Sequence, residues 1–197
     1  MPNAQLKPPF ATVADYRKLQ KKLGTSRNIV VQPSTYGVDN RCLVDALHQF
    51  GDAARGVCVV NSRVSDGELK ALHAAGVRGL RAQFGLGNPV GIDEIMPLAK
   101  RIAKLGWHIQ CNMPPAQLVA MEKFLLSLPV PVIVDHLGRA LDTSGPQYVT
   151  VCRLLDSGKG WVKVSGAYLY GKAPAPGYAD ASAAAVGYIK HAPERCV

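Results

Sequence analysis

A strand-like run that ends in reactive side chains lies in the second half of the chain. The segment Pro-Val-Ile-Val-Asp-His-Leu-Gly-Arg (residues 131–139) places a carboxylate, an imidazole and a guanidinium directly after apolar residues. A histidine at the end of a strand can act as a base, bind a metal ion or polarise a carbonyl group. The alternative is a structural histidine, with Asp135 capping the next turn. We interpret His136 as the candidate catalytic residue.

Polar side chains also follow other apolar runs and could bind a substrate. Ser34 and Tyr36 follow the first run, and their hydroxyls could hold a carboxylate or carbonyl oxygen, although an ordinary Pro-Ser turn would explain them as well. Arg81, in the third run, could grip a carboxylate with two parallel hydrogen bonds, or form a surface salt bridge. Asn112 follows the fourth run. We expect Ser34, Tyr36, Arg81, Asn112 and Arg139 to bind substrate.

Motifs of several other active sites are absent from the sequence. The histidines at 48, 73, 108 and 191 stand at positions typical of structural or solvated side chains. No H-x-H, H-E-x-x-H or Cys/His cluster has the spacing of metal ligands, so the chain encodes no complete metal site, although His136 remains a possible ligand. The absence of G-x-S-x-G and of a P-loop lysine argues against a nucleophile-elbow serine hydrolase and an NTPase.

The elements that must position these residues alternate between strand and helix. Short apolar or β-branched runs occupy residues 28–32, 56–60, 78–82, 107–111, 131–135 and 161–165, and a seventh begins at 195. Thr12 and Asp15 open a helix before the first run, and Ser65 to Glu68 form a capping box. Strand starts 22–34 residues apart are typical of β-α-β units. The order predicts a parallel sheet.

A barrel fits this pattern better than an open doubly wound sheet. No glycine-rich fingerprint follows the first strand, since the loop at residues 85–91 comes after the third and does not fit G-x-G-x-x-G. Polar residues gather after the strands, where a barrel keeps its active site. We predict an α/β fold of the (β/α)8 TIM-barrel type, incomplete because its first strand is absent and its eighth is cut short. Residues 1–11 are predicted to be irregular, and residues 12–197 to form the partial barrel domain.

The composition and net charge of the chain limit the classes of partner that it could bind. The 197 residues are 48% hydrophobic and 19% charged, as in a globular domain, and the net charge of +9 favours a small anionic substrate. Cations cluster only briefly, at 17–22 and 100–104, without a nucleic-acid-binding motif, so we expect no nucleic-acid partner. No run approaches the ~20 apolar residues that cross a bilayer, so we expect no membrane partner and a cytoplasmic location. Five scattered cysteines suit a reduced compartment and a place in the core.

Five motifs in series resemble the amidohydrolase-related family (amidohydrolase 2), and within it the 2-pyrone-4,6-dicarboxylate lactonase-like branch. The similarity in order and spacing runs from about Val13 to Val197. The motifs are Val-Val-Gln-Pro-Ser-Thr-Tyr-Gly-Val-Asp-Asn-Arg (30–41), Gly-Val-Arg-Gly-Leu-Arg (76–81), Leu-Gly-Trp-His-Ile-Gln (105–110), the 131–139 segment and Trp-Val-Lys-Val-Ser-Gly-Ala-Tyr (161–168).

The resemblance implies a (β/α)8 hydrolase that cleaves a C–O or C–N bond, in this branch the lactone of a carboxylated compound, as in aromatic catabolism. His136 would polarise the scissile carbonyl or approach a metal. Ser34 and Arg81 would hold substrate oxygens, with Arg139 assisting, and such donors stabilise an oxyanion. A non-catalytic small-anion-binding remnant and a sugar-acid lactone isomerase are the alternatives.

Three departures from the family pattern bear on activity. No H-x-H precedes Thr12, the sequence stops before the aspartate expected on the eighth strand, and Leu169 stands where arginine is common. We therefore expect a fragment of a longer enzyme whose general base lies outside this chain. Its cofactor would be a divalent metal (Zn or Mn), as in a complete family member, or none. Exposed sheet edges would favour a homo-oligomer.

Overall fold

The computed structural model describes residues 9–83 and 90–197, except for the side chain of Gln83. Most of the predicted irregular segment 1–11 and most of the glycine-rich loop 85–91 lie outside the described residues. No helix among the residues described is long and apolar enough to span a membrane.

The sheet confirms the predicted strand order. Six strands lie side by side in chain order, and every neighbouring pair is parallel. A parallel bridge between Val162 and Cys196 marks the predicted seventh run. The strands are β1 Asn28–Val31, β2 Ala54–Cys58, β3 Val77–Gln83, β4 His108–Asn112, β5 Val132–Val134 and β6 Gly160–Val162.

Helices connect the strands, as in β-α-β units. Single 3-10 turns follow β1 and β5, at Ser34–Tyr36 and His136–Arg139, and both begin where a strand ends. The helices are α1 Val13–Leu23, α2 Arg41–Phe50, α3 Asp66–Ala74, α4 Ile92–Ala103, α5 Pro115–Ala120, α6 Glu122–Ser127, α7 Pro146–Asp156, α8 Ala167–Tyr170 and α9 Ala179–His191.

Capping residues set several helix ends. The predicted capping boxes at Thr12 and Ser65 are confirmed, because each hydroxyl accepts a hydrogen bond from the backbone three residues on, at 3.1 Å in both. In the fourth helix, Glu94 accepts a hydrogen bond from the backbone N–H of Gly91, and α4 starts at Ile92.

One apolar core joins the sheet to its helices. It runs from Leu43 on α2 to Ala192 after α9, and includes the wholly buried Trp107. The indole N–H of Trp107 donates to Nδ1 of His73 at 2.9 Å, which gives that histidine a structural role. Cys58 and Cys111 are buried as expected, but Cys42 is exposed, so the prediction of a core position is wrong for Cys42.

The other face of the sheet carries polar side chains. The ring of His108 packs so closely over Gly79 that a Cβ there would lie 2.4 Å from the imidazole. Gln110 and Asp135 meet on this face farther along the strands. The free edge lies at β1, where Ile29 is 59% exposed. Self-association through this edge stays a prediction.

The core makes a matched pair of substitutions informative. Ile109→Ala, at a wholly buried site on β4, should lower the free energy of unfolding by about 2–5 kcal/mol, since it removes packed methylenes and leaves a cavity. Ile29→Ala, at the exposed site on β1, should cost less than about 1 kcal/mol. Urea unfolding followed by circular dichroism measures both. Equal losses, or a broad transition in the unchanged chain, would contradict a single cooperative core.

Candidate active site

The polar cluster forms where the carboxyl ends of β3 to β6 meet. Strand register places Arg81 beside Gln110, and Gln110 beside Ile133, which directly precedes the end of β5. Because all these strands are parallel, side chains that follow neighbouring strands gather at one edge of the sheet. The arrangement brings together Arg81, Asn112, His136 and Arg139 of the predicted residues.

A buried carboxylate lies at the centre of the cluster. The side chain of Asp135 is 2% exposed, and its Oδ1 lies 3.3 Å from Nζ of Lys163. The side-chain amide of Gln110 donates to Oδ2 at 3.1 Å. The carboxylate makes no capping hydrogen bond to the turn that follows, so the alternative reading of Asp135 as a cap is wrong. Its charge instead balances cations within the site.

The turn that presents His136 is strained. His136, Leu137 and Arg139 all have positive φ, between 51° and 58°, which L side chains rarely adopt. Backbone hydrogen bonds hold the turn, because Leu137 N–H donates to the carbonyl of Lys163 and Gly138 N–H to that of Asp135, both at 3.0 Å. Gly138 has no room for a side chain, since a Cβ would lie 2.8 Å from Val151. Such strain is typical of functional sites.

His136 is held by a serine and kept neutral by its surroundings. Nδ1 lies 3.0 Å from the hydroxyl oxygen of Ser165. Burial is the main cause that lowers the pKa of His136, and the charges of Lys163, Arg81 and Arg139 lower it further, against the opposing effect of Asp135. When the Ser165 hydroxyl donates to Nδ1, the ring proton lies on Nε2. That tautomer can donate a hydrogen bond to a carbonyl oxygen.

Arg81 keeps part of its hydrogen-bonding capacity free. One Nη1–H donates to the backbone carbonyl of Gln32 at 2.8 Å, and Nε is buried without a hydrogen-bond partner among the described residues. Burial lowers the pKa of Arg81, and the Asp135 charge opposes this effect. Within the described ranges Arg81 has no carboxylate within 4.0 Å, so the salt-bridge alternative finds no support.

Arg139 lies between two other side chains. Nη2 donates to Oδ1 of Asn112 at 2.9 Å, and the guanidinium carbon lies 4.5 Å from the centre of the Tyr170 ring. Its Nε is also buried and has no hydrogen-bond partner in the part of the chain that the structure describes. Asn112 therefore contacts Arg139 directly, and its role as a substrate ligand stays a prediction.

Ser34 and Tyr36 form the 3-10 turn directly after β1. The side chain of Gln32 donates to the carbonyl of Asp39 at 2.6 Å and so ties the two ends of this loop together. Arg81 contacts the carbonyl of Gln32, two residues before Ser34. The described residues show no hydrogen bond from the Ser34 or Tyr36 hydroxyl to the histidine or arginines of the cluster. Their substrate contacts remain predictions.

Two members of the cluster were not predicted from the sequence. Lys163 stands two residues before Ser165 in the predicted strand-like run 161–165. Side chains alternate between the two faces of a strand, so this spacing could have placed both on the polar face. Tyr170 lies on α8, beyond any strand, and only its contact with Arg139 reveals it.

The described residues do not by themselves fit a metal ion. Among residues 9–83 and 90–197, no three His, Cys, Asp or Glu side chains come close enough together to hold a metal ion. Asp135 is engaged by Lys163 and Gln110, and His136 Nδ1 by Ser165. A role for His136 as a metal ligand stays a prediction.

Parallel strands in chain order with charged side chains at their carboxyl ends define an α/β protein with a candidate active site at that edge of the sheet. The chain belongs to the amidohydrolase family, whose model matches residues 1–197. The expected family and fold class are thus confirmed, and the six strands form part of such a barrel.

Two named proteins are similar to this chain in sequence. A "2-pyrone-4,6-dicarbaxylate hydrolase" of Comamonas testosteroni is 43% identical over 146 residues, which cover 73% of this chain and 48% of that protein. A "D-galactarolactone isomerase" of Agrobacterium fabrum is 28% identical over 186 residues, covering 93% and 63%. The chain therefore spans about half to two thirds of the length of these relatives.

A solved structure shows the same fold. The crystal structure of a "probable 2-pyrone-4,6-dicarboxylic acid hydrolase" of Acinetobacter baumannii, with citric acid bound, matches with a TM-score of 0.85 and 25% identity. The match covers 100% of this chain and 76% of that one. The polar face described above thus belongs to a fold that this protein shares over its whole length.

A second histidine on the polar face is buried without a role in the cluster. Nε2 of His108 has no hydrogen-bond partner among the described residues. Burial lowers its pKa to about 4, and the charge of Lys163 contributes in the same direction. The folded protein therefore keeps His108 neutral, whereas the unfolded chain protonates it near its ordinary pKa.

This difference predicts a loss of stability in mild acid. Between the ordinary pKa of 6.5 and about 4 the unfolded chain binds a proton that the folded chain does not, so the free energy of unfolding falls as pH falls. His108→Gln should flatten this dependence by about 1–3 kcal/mol. Urea midpoints at several pH values measure it, with the exposed His48→Gln as control. An unchanged slope in His108→Gln would contradict the burial of a neutral imidazole.

Proposed function

We propose that the site binds a small carboxylated lactone and takes part in hydrolysis of its ester C–O bond. The observation that carries this proposal is an excess of positive charge. Arg81, Arg139 and Lys163 lie around His136, and Lys163 pairs with the buried carboxylate of Asp135. Nε of both arginines has no hydrogen-bond partner among the described residues. A substrate with two carboxylates would complement this charge.

The names of the relatives support the same substrate class. One relative is named as a hydrolase of a pyrone dicarboxylate, and the Acinetobacter structure holds citric acid. Leu169, at the position where the family resemblance leads one to expect arginine, is an exposed apolar residue. We therefore assign the carboxylate contacts to Arg81 and Arg139, with Ser34, Tyr36 and Asn112 as further substrate contacts.

In the proposed reaction, water adds to the lactone carbonyl and the ring C–O bond breaks, which gives a carboxylate and a hydroxyl group and releases one proton to solvent. Nε2–H of His136 donates to the carbonyl oxygen and stabilises the negative charge that develops on it. Burial lowers the pKa of His136, and the charges of Lys163, Arg81 and Arg139 lower it further, which favours the neutral imidazole. Asp135 is committed to Lys163 and Gln110, so we do not assign the base that activates water to it.

Removal of the imidazole should abolish most turnover. His136→Ala should lower kcat for a lactone such as 2-pyrone-4,6-dicarboxylate by about 10²–10³, because the developing oxyanion loses its donor. The assay follows loss of the pyrone chromophore, with protein that includes this chain and any sequence it needs for activity. His48→Ala, an exposed histidine on α2, is the matched control. Equal activity of both variants would refute the role of His136.

Removal of one guanidinium should weaken binding without loss of the fold. Arg81→Gln should raise the Kd for 2-pyrone-4,6-dicarboxylate by about tenfold to a hundredfold, because a charge-assisted hydrogen bond is lost. Isothermal titration calorimetry measures the change, with the exposed Arg41→Gln as control for net charge. A Kd that responds equally to both variants would show that only overall charge matters.

Two alternatives give different outcomes in the same experiments. Binding of the dicarboxylate without turnover would favour a non-catalytic anion-binding protein. A product of unchanged mass would favour a lactone isomerase, a class suggested by the relative from Agrobacterium fabrum. A product that gains one water favours the hydrolase.

We also propose a cytoplasmic location. Support comes from the cysteines, which are scattered and free in the structure, as expected in a reduced compartment.

A further inference from the structure

Tyr170 makes a contact that no part of the proposed reaction uses. Its ring centre lies 4.5 Å from the guanidinium carbon of Arg139 and 6.4 Å from the ring centre of His136, with the two rings tilted at 46°. A cation this close to the face of an aromatic ring is attracted by the negative potential of that face. The ring therefore contacts the two residues that the strained turn presents.

Hydrogen bonds hold the backbone that follows Tyr170. The N–H of Gly171 donates to the carbonyl of Ala167 at 2.8 Å and closes α8. The carboxylate of Asp180 then accepts from the N–H of Lys172 at 2.7 Å and from the N–H of Ala181 at 2.8 Å. The segment after α8 is thereby anchored to the start of α9.

The contact leaves the guanidinium ready for a carboxylate. Asn112 occupies one N–H of Nη2, and the guanidinium carbon lies over the face of the Tyr170 ring. Nε–H stays buried and without a hydrogen-bond partner among the described residues. An arginine binds a carboxylate through its edge, with two parallel N–H···O bonds. The ring thus restricts rotation of Arg139 and spares the atoms that recognise the anion.

We propose that Tyr170 is a positioning residue that orients Arg139 for one carboxylate of the substrate through a cation–π contact. The choice of ligand rests on the proposed function, whereas the contact between Tyr170 and Arg139 does not depend on it. The positioning of Arg139 favours ligands that carry a carboxylate at this place, because a ligand without one gains nothing from an oriented guanidinium.

The affinity test uses ring electrostatics rather than ring size. Replacement of Tyr170 by phenylalanine, then by phenylalanines with increasing fluorination, keeps the shape while the attraction for a cation weakens. The Kd for 2-pyrone-4,6-dicarboxylate should rise stepwise, to about threefold to thirtyfold for the pentafluoro ring and for Tyr170→Leu. A 2-pyrone analogue that lacks the carboxylate bound by Arg139 should bind the variants and the unchanged protein with equal affinity. Tyr168→Leu, at the 73% exposed tyrosine of α8, is the matched control.

A measurement without ligand tests the contact separately. The Nε–H resonance of Arg139, assigned by its loss in Arg139→Lys, should be shifted upfield by the ring and return toward the free value in Tyr170→Leu. Tyr170→Phe and Tyr168→Leu should preserve the shift. Urea unfolding of each variant shows that the fold is intact, and the fluorinated series replaces Tyr170→Leu if that variant unfolds.

The outcomes separate the two proposals. A flat affinity series with an unchanged Arg139 resonance overturns the role of Tyr170 even if the lactone is hydrolysed. Failure of the unchanged protein to bind any dicarboxylate overturns the proposed function. In that case, loss of the Arg139 shift in Tyr170→Leu still supports the positioning contact, and its retention refutes it.

Discussion

The ion pair between Asp135 and Lys163 is the interaction on which the site depends. A carboxylate so deeply buried is costly unless it is paired and hydrogen-bonded. Lys163 pairs with Oδ1 and the amide of Gln110 donates to Oδ2, while Oδ1 has no hydrogen-bond partner among the described residues. The pair also joins the ends of β5 and β6, the two strands that hold the His136 turn. The Asp135 charge also opposes the burial that lowers the pKa of Arg81.

Strand order follows from the sequence because its causes are local. Apolar runs such as that ending at Val134, and capping boxes such as that of Ser65, act within a few residues, so pattern and spacing predict them. Helix boundaries depend on finer contacts, such as the hydrogen bond from the backbone N–H of Gly91 to Glu94 at the start of α4.

The site was only half predictable, for a physical reason. Arg81 lies near the carboxyl end of β3, His136 and Arg139 follow β5, and the carboxyl ends of parallel strands share one edge of the sheet. Tyr170 follows no strand, and its place depends on how α8 packs against the turn at 136–139. For Asp135 the sequence suggested only a turn cap, and its pairing depends on Lys163, which directly follows the neighbouring strand β6.

The close packing of His108 over Gly79 has an evolutionary consequence. The imidazole fills the space that a side chain at position 79 would need, so the two positions compete for one volume across adjacent strands. A larger residue at 79 can be accepted only together with a smaller one at 108. Among relatives that keep this sheet, the two positions should covary, and a histidine at 108 should be accompanied by glycine at 79.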